Sequence, residues 1–335
     1  MLSRTADNLY WLARYVERAD FLARIVEATQ RLAALPTNYS GTGTEWESAL
    51  ESSGAAAGFH ETRGAAEEAS VVEYLTFAAD NPSSIRNCIE LARANARAVR
   101  TALTVEMWDA INSAWIELKR FEADNRSRGY DRRELSKFLE FVKKTSLDYD
   151  GCSHRTMLRN DAFWFSRLGL YIERADNTAR ILDVKYHVLL PENEAVGGSL
   201  DYFQWTAILR AVSALTAYHW VYRENVKPWL IADLLILKLE MPSSLIACYD
   251  NIVRFLDAIG RAYGRTGPAQ RQAHNVMHRL EEATTNEIFK MGLHEFITAF
   301  VRDNDRLGQT ITEQYLVYDS ASAPMAAPKS LIGSA

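Results

Sequence analysis

The chain is poor in the residues that break or bridge a fold. Its 335 residues include three cysteines, sixteen glycines and eight prolines. Glycine and proline together come to about 7%, against roughly 12% in average usage. So few turn-formers disfavour a chain of many short strands and favour long helices. Cys88, Cys152 and Cys248 are far apart and form no C-x-x-C pair, which argues against a disulfide framework or a cysteine zinc site. No run of 18 apolar residues occurs, and the longest mostly apolar stretch, 211–222, is too short to span a bilayer. The first residues carry no apolar signal core, so the expectation is a cytoplasmic protein without a membrane segment. A formal net charge of −5 gives no bulk attraction to nucleic acid. There is no P-loop, G-x-G-x-x-G, H-E-x-x-H or G-x-S-x-G, and no cofactor is assigned.

What is present is repetition. Hydrophobic residues make up 48% and charged residues 24%, the balance of a globular chain long enough for two domains or one doubled unit. The stretch from Tyr15 to Val26 aligns with Tyr171 to Leu182 at an offset of 156, with eight of twelve positions identical. Pro82-Ser83-Ser84 aligns with Pro242-Ser243-Ser244 at an offset of 160, and both lead to a cysteine, Cys88 and Cys248. Trp46 and Trp205 are 159 apart. Collinear anchors of this kind mark a duplicated architecture. The expectation is an all-α, internally duplicated helical bundle with pseudo-twofold halves at 1–150 and 151–318. An Ala/Ser/Pro-rich tail, 319–335, is expected to be mobile.

Periodicity predicts helices over 3–35, 45–56, 65–79, 83–102, 104–125 and 131–148. In the second half it predicts 154–190, 200–224, 227–240, 243–263, 268–300 and 302–317. Ser83-Ser84 and Ser243-Ser244 read as N-terminal caps. The region 52–70 reads as a long, poorly ordered connection. No stretch alternates in the manner of a strand.

The repeated motif places Tyr10, Arg14, Glu17, Asp20 and Arg24 on one helix face, and Glu173, Asp176 and Arg180 on the equivalent face. Asp20 and Arg24 stand one turn apart, a favourable pair. Arg18 and Arg174 point some 100° away, beside Ile25 and Ile181. Two readings follow. One is a structural ion-pair seam, because buried charges must be paired and arginine forks fit carboxylates. The other is a polar cleft in which Glu17 and Glu173 act as acid, base or cation ligand while Arg24 and Arg180 line or brace it. Packing residues survive duplication on their own account, which favours the first.

Differences between the halves point elsewhere. Arg86, Arg93, Arg97 and Arg100 share a face with Glu90, whereas the positions 160 further on are Ile246, Val253, Asp257 and Gly260. Such a stripe is either a solvated face paired with acids such as Glu106 or Asp109, or an anion site in which Arg93, Arg97 and Arg100 receive a phosphate or carboxylate. His274, His278, Glu281 and Glu282 lie on one face at a spacing that could hold a divalent metal, but their polar neighbours suggest plain surface.

Taken together, several stretches resemble the bacterial alpha-E domain family: Met1-Leu2-Ser3-Arg4-Thr5-Ala6, Glu17-Arg18-Ala19-Asp20, Asn81-Pro82-Ser83-Ser84-Ile85, Glu106-Met107-Trp108 and Glu173-Arg174-Ala175-Asp176. The resemblance covers nearly the whole chain except the tail. It implies an all-helical domain of unknown activity. Such proteins are typically encoded beside ATP-grasp-type amide ligases and transglutaminase-like proteins, and the resemblance implies a part in peptide synthesis or modification. On that basis the chain is expected to be an accessory partner of the ligase, presenting a charged surface to it or to an anionic peptide. A carboxylate enzyme, with or without a metal, and an inert scaffold are the alternatives. The second copy has Leu170 where the first has Arg14, so the two motif helices are not equivalent platforms.

Overall fold

In a computed structural model, residues 1–34, 44–125, 131–187 and 199–316 are described, and every regular element among them is helical. The first half holds α1 (Ser3–Ala33), α2 (Thr44–Ser52), α3 (Ala56–Thr62), α4 (Glu68–Thr76), α5 (Ile85–Ala98), α6 (Val105–Asn125) and α7 (Arg132–Thr156). There follow α8 (Asp161–His187), α9 (Ser199–Ala211), α10 (Leu215–Tyr222) and α11 (Pro228–Ala232), the last running into a π turn over Asp233–Leu237. The chain continues through α12 (Leu245–Tyr263), α13 (Pro268–Glu282), α14 (Thr285–Met291) and α15 (Leu293–Ile311). The expected tail at 319–335 lies outside the described residues.

Two helices organise the rest. α1 packs on α8, α5, α7 and α9, while α8 packs on α12, α15 and α2. Neither long helix has a clean polar face. Leu9, Leu12, Ala13, Leu22, Ala23 and Val26 of α1 are buried, as are Leu168, Ile172, Ala175 and Ala179 of α8. Helices covered from several sides carry apolar residues around most of their circumference. α1 and α8 run in the same direction, since their contacts step forward together from Tyr10–Gly169 to Arg18–Glu173. They approach closely because Gly169 has no side chain: a Cβ there would lie 2.1 Å from the Tyr10 carbonyl oxygen. Met1 fixes the start of the pair, its ammonium group 2.9 Å from Asp161.

Local chemistry explains most helix ends. Ser84 accepts from the amide of Asn87 and Ser244 from that of Ala247, so both predicted caps form. α2 and α9 end alike: Gly54 (φ 66) and Ser213 (φ 57) are both left-handed, and the next amides, Ala55 and Ala214, return to the carbonyls of Leu50 and Leu209. The sequence expectations need four corrections. α7 continues past 148 to Thr156, and α8 begins at Asp161 rather than 154, because Asn160 turns its side chain onto the amide of Ala162. The predicted helix 200–224 breaks at the left-handed Ser213. The predicted 268–300 is three helices, and no break exists at 302. The stretch 52–70 carries α3, pinned by Phe59, which is fully buried with its ring 5.3 Å from Tyr74.

Candidate functional site

The two Glu-Arg pairs meet where α1 and α8 cross, and they exchange partners. Arg174 grips Glu17 with two nitrogens, Nε at 2.7 Å and Nη2 at 3.0 Å. Arg18 grips Glu173 in the same fork, at 2.5 and 3.1 Å. Each acid is therefore neutralised by the arginine of the other helix, in the bidentate geometry that guanidinium and carboxylate favour. The helical projection set Arg18 and Arg174 apart from the acidic face. Their long side chains reach across to the neighbouring helix, which a projection of one helix does not show.

The two sites differ in one respect. Glu173 has a further donor in Arg14, whose Nε lies 2.7 Å away, whereas Leu170 occupies the corresponding place beside Glu17. Glu173 is 2% exposed and Glu17 8%. Burial disfavours the Glu173 anion, but Arg18 and Arg14 outweigh it and hold the carboxyl down at about 2. Arg14 is itself held by the Tyr10 hydroxyl and stacks over Trp11 at 4.6 Å. Glu173 therefore has no proton to give near neutral pH, and every carboxylate oxygen of the crossed pairs faces an arginine nitrogen.

Arg24 and Arg180 do not join it. Each pairs with the acid one turn earlier on its own helix, Asp20 and Asp176, both at 2.7 Å. Arg24 also donates to the Ser213 hydroxyl at 2.7 Å, and Arg180 lies under Gly54. Burial raises the Asp20 carboxyl to about 6 despite Arg24. Arg24 lines a cleft between α1 and α9–α10, and Arg180 lines a smaller one with Glu51 and Asp183.

The arginine stripe separates into two parts. Arg86 enters a network with Glu122 (2.7 Å) and Glu90, which Lys119 completes. These acids are not the predicted Glu106 or Asp109. Arg93 donates to Asn112 at 2.9 Å and lies 4.0 Å over the Trp115 ring. Arg97 and Arg100 are exposed, the latter 5.2 Å over Trp108. Arg93 and Arg97 of α5, with Arg100 just past its end, thus form a surface beside Trp108 and Trp115 of α6, and their contacts are not with Glu17 or Glu173. Cys88 and Cys248 sit behind the crossed pairs, with burial pushing both thiols up to about 12, which suits packing rather than nucleophilic attack.

The histidine cluster does not converge. His274 faces Asp257 at 3.1 Å, and His278 faces Glu282 at 3.4 Å. Among the described residues no group of three His, Cys, Asp or Glu side chains could hold a metal ion. Nor is any helix among them long and apolar enough to cross a membrane.

A family model for a predicted alpha-helical domain with a conserved ER motif matches residues 1–316. The Glu-Arg dipeptides at 17–18 and 173–174 are the two places where that pair heads the repeated sequence. No curated protein and no solved structure matches the chain.

Proposed function

The chain belongs to the Alpha-E family, and from that premise we propose that it is a non-catalytic helical partner of an ATP-grasp-type amide ligase or a transglutaminase-like protein. It would act in the cytoplasm, in peptide synthesis or modification. The observation that carries the non-catalytic part is the saturation of Glu17 and Glu173 by arginines. A general acid or base needs a proton in play near the working pH and a free edge toward substrate; the Glu173 carboxyl, held at about 2, has no such proton, and both oxygens of each glutamate already face arginine nitrogens.

In this proposal the protein is an internally duplicated bundle whose halves are related by an approximate twofold, with the crossed pairs as its centre. Three correspondences support that reading: the interchange of Glu17–Arg174 with Glu173–Arg18, the matching caps at Ser84 and Ser244, and the left-handed turns at Gly54 and Ser213. The partner-facing region is a feature without a counterpart in the other half, the surface of Arg93, Arg97 and Arg100. Arg93 is already oriented by Asn112 and Trp115, so little side-chain freedom is lost when an anionic group binds.

Co-expression with an ATP-grasp-type amide ligase and, separately, a transglutaminase-like protein from the same organism tests the proposal. The chain is expected to co-purify with one of them, and Arg93→Ala/Arg97→Ala is expected to weaken the complex at least tenfold. Failure to co-purify with either rejects the partnership. An unchanged complex and unchanged ligase turnover with the double variant reject the arginine assignment.

A further inference from the structure

The cleft that receives Arg24 has a volume of about 560 Å³, within the range of small-molecule sites. Its walls divide by chemistry. Ala28, Leu32, Ala207 and Leu215 supply apolar surface, and Tyr202 and Phe203 stand at the side, each about two-fifths exposed. Among the described lining residues, Arg24, Arg31 and Arg210 bring three positive charges against a single acid, Glu27.

Those cations are not equally engaged. Arg24 is tied to Asp20 and Ser213, and Arg31 to Glu27 at 2.6 Å. Glu27 is shared with Lys143 at 2.7 Å. Arg210 is exposed and has no ion-pair or hydrogen-bond partner among the described residues. In the same wall the hydroxyl of Thr206, a residue 9% exposed, is buried without a hydrogen-bond partner among the described residues. A buried hydroxyl left unpaired is costly, and here a bound oxygen could complete it.

The other half sharpens the point. Its corresponding cleft holds Arg180 in the place of Arg24, Asp183 in that of Glu27 and Glu51 in that of Arg210. The aligned positions thus make one cleft net basic and the other, closed by α15 instead of α10, net acidic. Packing does not require that difference.

We propose that the cleft between α1 and α9–α10 binds the free carboxylate end of a peptide-sized molecule. Arg210 forks onto the carboxylate, Thr206 donates to it, and the apolar wall with Tyr202 and Phe203 holds the adjoining side chain. This site is separate from the surface of Arg93, Arg97 and Arg100 and does not depend on a ligase partner.

The test titrates the full chain with N-acetyl-leucyl-phenylalanine and with its C-terminal amide, followed by calorimetry or by chemical-shift changes. The acid is expected to bind saturably and at least tenfold more tightly than the amide. Arg210→Ala is expected to weaken the acid at least tenfold while leaving thermal stability unchanged, because Arg210 is exposed and has no partner among the described residues. Arg93→Ala/Arg97→Ala is expected to have no effect. Equal binding of acid and amide, full affinity in Arg210→Ala, or no saturable binding of either peptide overturns the proposal. Inorganic phosphate displacing the acid at equal concentration overturns the assignment to a carboxylate.

Discussion

Glu173 lies between two guanidinium groups in a site almost closed to water, so removing its charge leaves both Arg14 and Arg18 unmatched. Glu173→Gln is expected to cost about 3–5 kcal/mol in a denaturant titration, the range for breaking a buried ion pair. Glu17→Gln, with Arg174 alone to strand, should fall at or below the bottom of that range. Replacing a pair together, Glu17→Leu with Arg174→Met, should cost less than either single change, because no charge is then left buried. Acid titration gives an independent reading. The Glu173 carboxyl drops from its ordinary 4.5 to about 2 on folding. Its contribution is therefore complete above pH 4.5 and is lost as the pH falls toward 2. Asp20 works in the opposite sense, raised from 3.8 to about 6, so the folded state loses stability as the pH climbs from about 4 through 6. Unfolding measured across pH 2–7 should show Glu173→Gln flattening the acid limb and Asp20→Asn removing the decline between 4 and 6.

At the scale of the helix, the α1–α8 contact depends on a missing side chain. Gly169→Ala must push its new methyl group against the Tyr10 backbone, which cannot rotate away. Thermal unfolding is expected to show a loss of about 3 kcal/mol, the upper end of the overpacking range. Gly151 is the internal comparison. It also lies inside a helix but has open space around it, so Gly151→Ala should gain about 0.5–1 kcal/mol from helix propensity. The sequence carried α1, α5, α6 and α12 to within a few residues, and both serine caps, because these rest on local spacing and local hydrogen bonds. It did not carry the break at Ser213. No glycine or proline marks it, and the left-handed turn is held by Arg24 from 189 positions away. The α7–α8 turn at 157–160 is unmarked in the same way, closed by Asn160. In the candidate site, the repeated Glu-Arg letters were visible but their exchange of partners was not, since neither helix alone shows what faces it. The cleft at Arg210 had no linear signal. Only comparing Glu51 with Arg210 between the halves would have raised it.

Across the whole molecule, one buried apolar cluster runs through both halves, with α1 and α8 at its centre. Neither half keeps its central helix covered without the other, so unfolding is expected to be a single transition. Far-ultraviolet circular dichroism and tryptophan fluorescence should report the same midpoint. Arg18→Leu with Arg174→Leu should lower that midpoint for both probes together. Two separated transitions would instead mean that the halves are independent units that happen to touch.

The exchange of partners at positions 17, 18, 173 and 174 also constrains how such a chain can change over generations. A substitution at Glu17 is repaired at Arg174 and not at its immediate neighbour, so tolerated changes should travel in pairs that bridge more than 150 residues. A segment carrying one Glu-Arg pair, spliced into a distant relative, would arrive with its acid and its base both matched to a vanished partner. Two stretches of one chain are thereby bound to a shared history.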